Sequence, residues 1–201
     1  METSLIIFDF DGVIADTFDI IHSLKQIEYP DLTADEYRTK FNGNIHLAEY
    51  STPRAKEIDF QTELANKMQG FVIDPVKKDA VLQIASVAPC YIVSSTHSDT
   101  IKLFNRVNGI DGCFKDVLGL DVFASKVKKF KKIIETQQIA PESILFITDT
   151  VGDIKEAHEA GITNVLAVTS GYQNEETLRA ANPTWLVPSI VEAVPVVLQK
   201  K

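Results

Sequence analysis

Six short apolar runs, at residues 5–8, 90–94, 116–120, 144–148, 165–169 and 185–187, recur between segments of helical periodicity. This alternation constrains the fold more than any other feature of the chain. Uninterrupted apolar runs of this length read as strands buried on both faces, and helices between them supply the crossovers that parallel strands require. Val127, Phe130, Ile133 and Ile134 carry one helical pattern; Ile154, Ala157 and Ala160 carry another, which Gly161 ends. The expected fold class is α/β, a Rossmann-like three-layer core around a mostly parallel sheet. Such sheets keep their chemistry at the carboxyl ends of the strands.

Residues 17–76 break the alternation, with several helical patterns and no strand. Ile20, Ile21, Leu24 and Ile27 share one helix face. Thr33-Ala34-Asp35-Glu36 is a capping box that starts a second helix, and Ser51-Thr52-Pro53 precedes a third pattern through Ile58, Leu64 and Met68. We expect a small all-helical cap domain over residues 17–76, inserted into a catalytic core made of residues 1–16 and 77–201. Because the insert leaves just after the first strand, it lies over the carboxyl ends of the sheet.

Those ends are acidic. Leu5-Ile6-Ile7-Phe8 runs into Asp9-Phe10-Asp11-Gly12-Val13, and Ile144-Leu145-Phe146-Ile147 runs into Thr148-Asp149-Thr150-Val151-Gly152-Asp153. Carboxylates crowded at the end of a hydrophobic strand raise each other's cost of ionisation, which implies a bound cation, a shared proton or a chemical task. One such pair is as often a turn or a helix cap. Two together suggest an oxygen-rich site for a divalent metal. Between them lie Ser94, which ends Tyr91-Ile92-Val93, and Lys126, near a helix start.

This ordered set, above all Phe8-Asp9-Phe10-Asp11-Gly12-Val13-Ile14-Ala15-Asp16-Thr17, resembles the haloacid dehalogenase superfamily along essentially the whole chain. The helical insert after strand one resembles its branch of phosphoglycolate phosphatases and β-phosphoglucomutases. The resemblance implies a Mg²⁺-dependent phosphatase that hydrolyses a small phosphomonoester through an aspartyl phosphate. Asp9 is then the nucleophile, and Asp11 protonates the leaving alcohol and later deprotonates water. Asp9, the backbone carbonyl of Asp11, and Asp149 hold Mg²⁺, with Asp153 acting through a water. Ser94 donates to a phosphoryl oxygen, and Lys126 balances the charge of nucleophile and phosphate. Relatives often have Pro after the motif lysine where this chain has Val127, which keeps Lys128 as a rival. The rest of the cluster Lys126, Lys128, Lys129, Lys131 and Lys132 reads as a solvated helix face.

Ser95, Thr96 and His97 are further candidate phosphate or substrate contacts. Asn42-Gly43-Asn44 is either a specificity loop of the cap, where glycine lets backbone approach a ligand, or an ordinary polar turn. Asp16 reads as a helix cap outside the site. A phosphosugar mutase on the same scaffold is the main alternative function, although Thr148-Asp149 with Asp153 fits the hydrolase form better. A phospho-accepting signalling module is a second alternative, and length and motif order count against it.

The net charge of −8 disfavours nucleic acid as a partner, so an anionic substrate must be drawn by local cations. No apolar run approaches the roughly 20 residues needed to span a bilayer, and residues 1–8 lack the start of a signal peptide. Cys90 and Cys113 lack metal-ligand spacing and read as reduced thiols. The expectation is a cytoplasmic protein with no membrane partner, monomeric by default, whose ligand is a small phosphorylated metabolite.

Overall fold

In the computed structural model, which describes residues 3–199, the apolar runs become β1 (Leu5–Phe8), β2 (Cys90–Val93), β3 (Phe114–Leu118), β4 (Ile144–Thr148), β5 (Asn164–Val168) and β6 (Trp185–Val187). They pair in parallel in the order β3-β2-β1-β4-β5-β6, confirming the α/β Rossmann-like class. The order reverses between β1 and β4. That central crevice is where an open α/β sheet binds ligands, and both acidic motifs end there.

The helices are α1 (Phe18–Glu28), α2 (Ala34–Thr39), α3 (Phe60–Met68), α4 (Pro75–Ala85), α5 (Ser98–Asn108), α6 (Lys126–Gln137), α7 (Val151–Glu159), α8 (Glu175–Ala180) and α9 (Ile190–Leu198). Alternate side chains of β1 point to opposite faces of the sheet, as the two-residue strand period demands. Ile6 and Phe8 join a core with α4, α5 and α9. Leu5 and Ile7 join a second core with α6, α7 and α8. Burial on both faces explains why these strands read as unbroken apolar runs.

Between β1 and α4 the chain forms α1 to α3 and two short 3₁₀ turns, with no strand. Thr33 accepts a hydrogen bond from the Glu36 N–H, as the capping box requires, but the Glu36 carboxylate turns to Ser51 and Lys40 instead. The third helix starts later than its sequence pattern, at Phe60, capped by Asp59. The expected start after Ser51 is corrected because residues 51–59 form no helix and are tied to Glu28 instead. Ala55 N–H donates to the Glu28 carbonyl at 2.8 Å, and Arg54 pairs with the Glu28 carboxylate.

Three contacts hold the linkers into and out of this helical segment. Asp16 pairs with Lys77, and Asn108 receives the Ile73 N–H at 2.9 Å while donating to the Phe71 carbonyl at 3.0 Å. The boundary drawn at 76/77 falls in the first turn of α4, whose cap is Asp74. The outermost residues assigned to the core, 1–2 and 200–201, lie outside the described residues. Among the described residues no helix is long and apolar enough to cross a membrane.

Candidate active site

Parallel pairing of β1 with β4 aligns Phe8 with Ile147, so the next residues of both strands open into one crevice. Asp9 is 4 % exposed, and Asp149 is fully buried. Asp9 Oδ1 accepts the Phe10 N–H at 2.8 Å and faces Lys126 Nζ at 2.9 Å. Lys126, the first residue of α6, also reaches Asp153 Oδ2 at 2.6 Å. Asp153 sits in the first turn of α7, where it further accepts from Thr148 at 2.9 Å. One buried ammonium therefore bridges the two acidic motifs.

The charges in this cluster tune each other. Burial, with Asp153 and Asp149 nearby, holds the Asp9 carboxyl well above its ordinary pKa, only partly opposed by Lys126. Burial pushes Asp149 up to about 8, and Asp153 adds to the rise. Burial acts on Asp153 too, but Lys126 and the surrounding hydrogen bonds outweigh it and keep its carboxyl below the usual range. Burial would lower Lys126, yet Asp153 and Asp9 hold its ammonium above the ordinary lysine value.

Asp11 is gripped by hydroxyls. Its Oδ1 accepts from Thr17 at 2.8 Å, and its Oδ2 accepts from Thr96 at 2.8 Å and Ser94 at 3.1 Å. Burial raises its pKa, and these three hydroxyls temper the rise. Ser94 is fully buried and spends its hydroxyl on Asp11, while Ser95 and Thr96 border the cavity. His97 faces Asp121 at 3.8 Å and does not border the cavity.

Of the two rival lysines, Lys128 is exposed and Lys126 is buried against the acids. Lys129, read as part of the solvated face, is instead fully buried and donates to the Ser94 carbonyl. Burial and the neighbouring Lys126 lower its pKa to about 8.

The cap loop divides. Gly43 borders the cavity. Asn42 lies outside it, with its carbonyl accepting from Lys155 at 3.0 Å and its side-chain oxygen accepting from Gln173 at 2.8 Å. Asn44 donates to Glu156 at 3.2 Å. That same Glu156 oxygen takes the Lys126 N–H at 3.0 Å, linking the cap loop to the start of α6.

Sequence reasoning missed Thr17, Glu156, Tyr172 and Gln173. Tyr172 N–H donates to Asp149 Oδ2 at 2.6 Å, and Gln173 accepts the Val151 N–H at 2.7 Å at the start of α7. The available signal was Gly171. A Cβ there would lie 2.1 Å from Asp149 Oδ2, and one on Gly12, at φ +77°, would lie 1.9 Å from it. Both glycines let backbone close around this carboxylate.

Whether these residues fit a divalent cation turns on Asp149. Its Oδ1 is buried without any hydrogen-bond partner, an arrangement that is costly for a carboxylate unless a cation completes it. Among the described residues no three acidic, imidazole or thiol side chains form a group able to hold a metal as they stand. The ligand set implied by the resemblance needs only two, Asp9 and Asp149, with a backbone carbonyl as the third. The donors are all oxygen, as a hard cation prefers, so the residues fit Mg²⁺.

A model of haloacid dehalogenase-like hydrolases matches residues 6–168. A phosphoglycolate phosphatase of Synechococcus elongatus is 23% identical, the match covering 96% of this chain and 97% of the relative. Among solved structures, a haloacid dehalogenase-like hydrolase of Streptococcus pneumoniae superposes with a TM-score of 0.74 at 19% identity, covering 96% of this chain and 97% of the other. CbbY of Rhodobacter sphaeroides, in complex with phosphate, superposes at 0.73 with 17% identity and 96% coverage of both chains. At these identities the structural likeness speaks for the fold, while the family match spans both acidic motifs and the lysine between them. The chain belongs to the haloacid dehalogenase-like hydrolases.

Proposed function

We propose that this protein is a Mg²⁺-dependent phosphatase acting on a small phosphomonoester. The observation that carries the reading is the Asp9–Lys126–Asp153 bridge beside the unpartnered oxygen of Asp149. It combines a fixed carboxylate, a buried cation and an unfilled acceptor at the switch point of the sheet. The relatives named phosphoglycolate phosphatase support hydrolysis of phosphate esters.

In this reading the phosphoryl group enters over Asp9, with Lys126 balancing its charge and Ser95 and Thr96 beside it. Asp9 is held from one side by the Phe10 N–H and Lys126, so attack on phosphorus needs little reorganisation. The new bond joins an Asp9 oxygen to phosphorus as the ester P–O bond breaks. The leaving alkoxide takes the proton of Asp11, whose pKa burial raises above the ordinary carboxylate value. Water then attacks the acyl phosphate, its proton passes to Asp11, and inorganic phosphate leaves with the Asp9 carboxylate restored. Mg²⁺, held by Asp9, the Asp11 carbonyl and Asp149, would neutralise negative charge on the phosphoryl oxygens. Ser94, Thr96 and Thr17 position Asp11, and Asp153 positions Lys126.

Phosphate release from a panel of monoesters, with and without Mg²⁺, tests this. Release that needs Mg²⁺ and disappears in Asp9→Asn is the expected result. Metal-independent release, or release that survives Asp9→Asn, would sink the mechanism.

A further inference from the structure

The acids and Lys126 line a cavity of about 360 Å³, large enough for a compact organic ligand. Much of the rest of its lining is different in kind. The cap supplies Ile21, Tyr37, Phe41, Ile45, Tyr50 and Phe60 to its wall. These rings are held in place by one another. Tyr50 stacks on Tyr29 with centroids 4.1 Å apart, and Phe41 meets Tyr37 and Tyr172 edge to face at 5.2 and 4.8 Å. Rings braced in this way form a rigid apolar wall.

The nearby cap cations are already committed. Lys25 bonds Glu28 at 2.8 Å and lies 4.2 Å over the Phe60 ring; Lys40 pairs with Glu36 at 3.2 Å; Arg54 pairs with Glu28 and Glu57. Of the cap residues that line the cavity, Lys25 is the one permanent cation, so a leaving group's own carboxylate would compete with Glu28 and the Phe60 ring for it.

We propose that the substrate is the phosphomonoester of an alcohol bearing a single planar aromatic or heteroaromatic ring. The ring packs against the cap aromatics while its phosphate reaches Asp9. This assignment rests on the phosphatase reading for its reaction, but the aromatic wall defines the class of ligand independently.

The test compares kcat/KM of the Mg²⁺-loaded enzyme for benzyl phosphate, pyridoxine 5′-phosphate, 2-phosphoglycolate and glucose 6-phosphate. Calorimetry measures binding of the same four esters to Asp9→Asn. Ring esters should lead by about tenfold or more in both measurements, the scale of burying one ring. Tyr50→Ala should reduce that lead while leaving inhibition by inorganic phosphate unchanged. Equal or better handling of 2-phosphoglycolate or glucose 6-phosphate would overturn the proposal, as would a Tyr50→Ala loss shared evenly by all four esters. Turnover without ring preference defeats the ligand class and keeps the phosphatase. Selective binding of ring esters without turnover of any ester defeats the phosphatase and keeps the ligand class.

Discussion

Lys126 and Lys128 lie two positions apart on α6 and have opposite surroundings. At 3.6 residues per turn they point about 200° apart, so only one can face the acids. Lys126 does, at 2.9 Å from Asp9 and 2.6 Å from Asp153. Lys126→Met should cut phosphate release by about 100-fold or more, the usual scale for removing a preorganised charge from a phosphoryl site. Lys128→Met should leave it within about twofold, as for an exposed side chain. Equal losses from the two, measured as kcat on folded protein, would remove Lys126 from its role. The sequence left this choice open because the facing residue depends on where the helix begins, and Lys126 is its first residue. The four acids were legible because carboxylates at the ends of buried strands are costly and rare. Thr17 and Gln173 were not, since a hydroxyl and an amide are unremarkable until the fold sets them on Asp11 and α7.

At the level of elements, the strands were the easiest to read because burial on both faces leaves no polar alternation to decode. The stretch before α3 misled, since its helical spacing competes with contacts that no local pattern contains, chiefly those to Glu28. Glu28 is 1 % exposed, and bonds from Lys25 and Arg54 win over the opposing effect of burial to lower its pKa. A depressed native pKa means that the unfolded chain binds the proton more readily, so stability falls as pH falls. The contribution of Glu28 is present above its unfolded value of about 4.3 and is lost as pH drops through the lower native value. Glu28→Gln should cost about 1.5–3 kcal/mol at pH 7, the range for hydrogen bonds to a charged group. Urea unfolding should show that difference shrinking below pH 4, and a difference that persists there would contradict the assignment. The cap loop offers a second test. A Cβ on Gly152 would stand 2.3 Å from the Gly43 carbonyl oxygen, so α7 admits the loop only because this position has no side chain. Gly152→Ala should leave thermal stability near wild type but lower kcat/KM by about tenfold, through loss of the seated loop rather than of Asp153. Unchanged kcat/KM would mean that this seating is irrelevant to turnover.

On the scale of the molecule, a chain of net charge −8 concentrates several of its acids in one buried crevice, where they oppose folding. Lys126 offsets part of that repulsion through Asp9 and Asp153. Among the described residues, Asp149 has only the Tyr172 N–H for one oxygen and no hydrogen-bond partner for the other. Its place in the fold is therefore set by chemistry at the expense of stability, a trade common at active sites. Asp149→Asn removes the ionisable group, whose burial pushes its pKa up to about 8, while retaining a group that accepts the Tyr172 N–H. In metal-free buffer this variant should melt a few degrees above wild type, since each 1 kcal/mol moves a domain of this size by about 2–4 °C. Adding Mg²⁺ should reverse the ranking. Ligand binding to the native state alone stabilises by about 2.7 kcal/mol at one hundred times Kd, a gain open to wild type and denied to the variant. Thermal melts of both proteins across a Mg²⁺ titration therefore read out the metal assignment without any substrate. Curves that rise in parallel would place the cation away from Asp149.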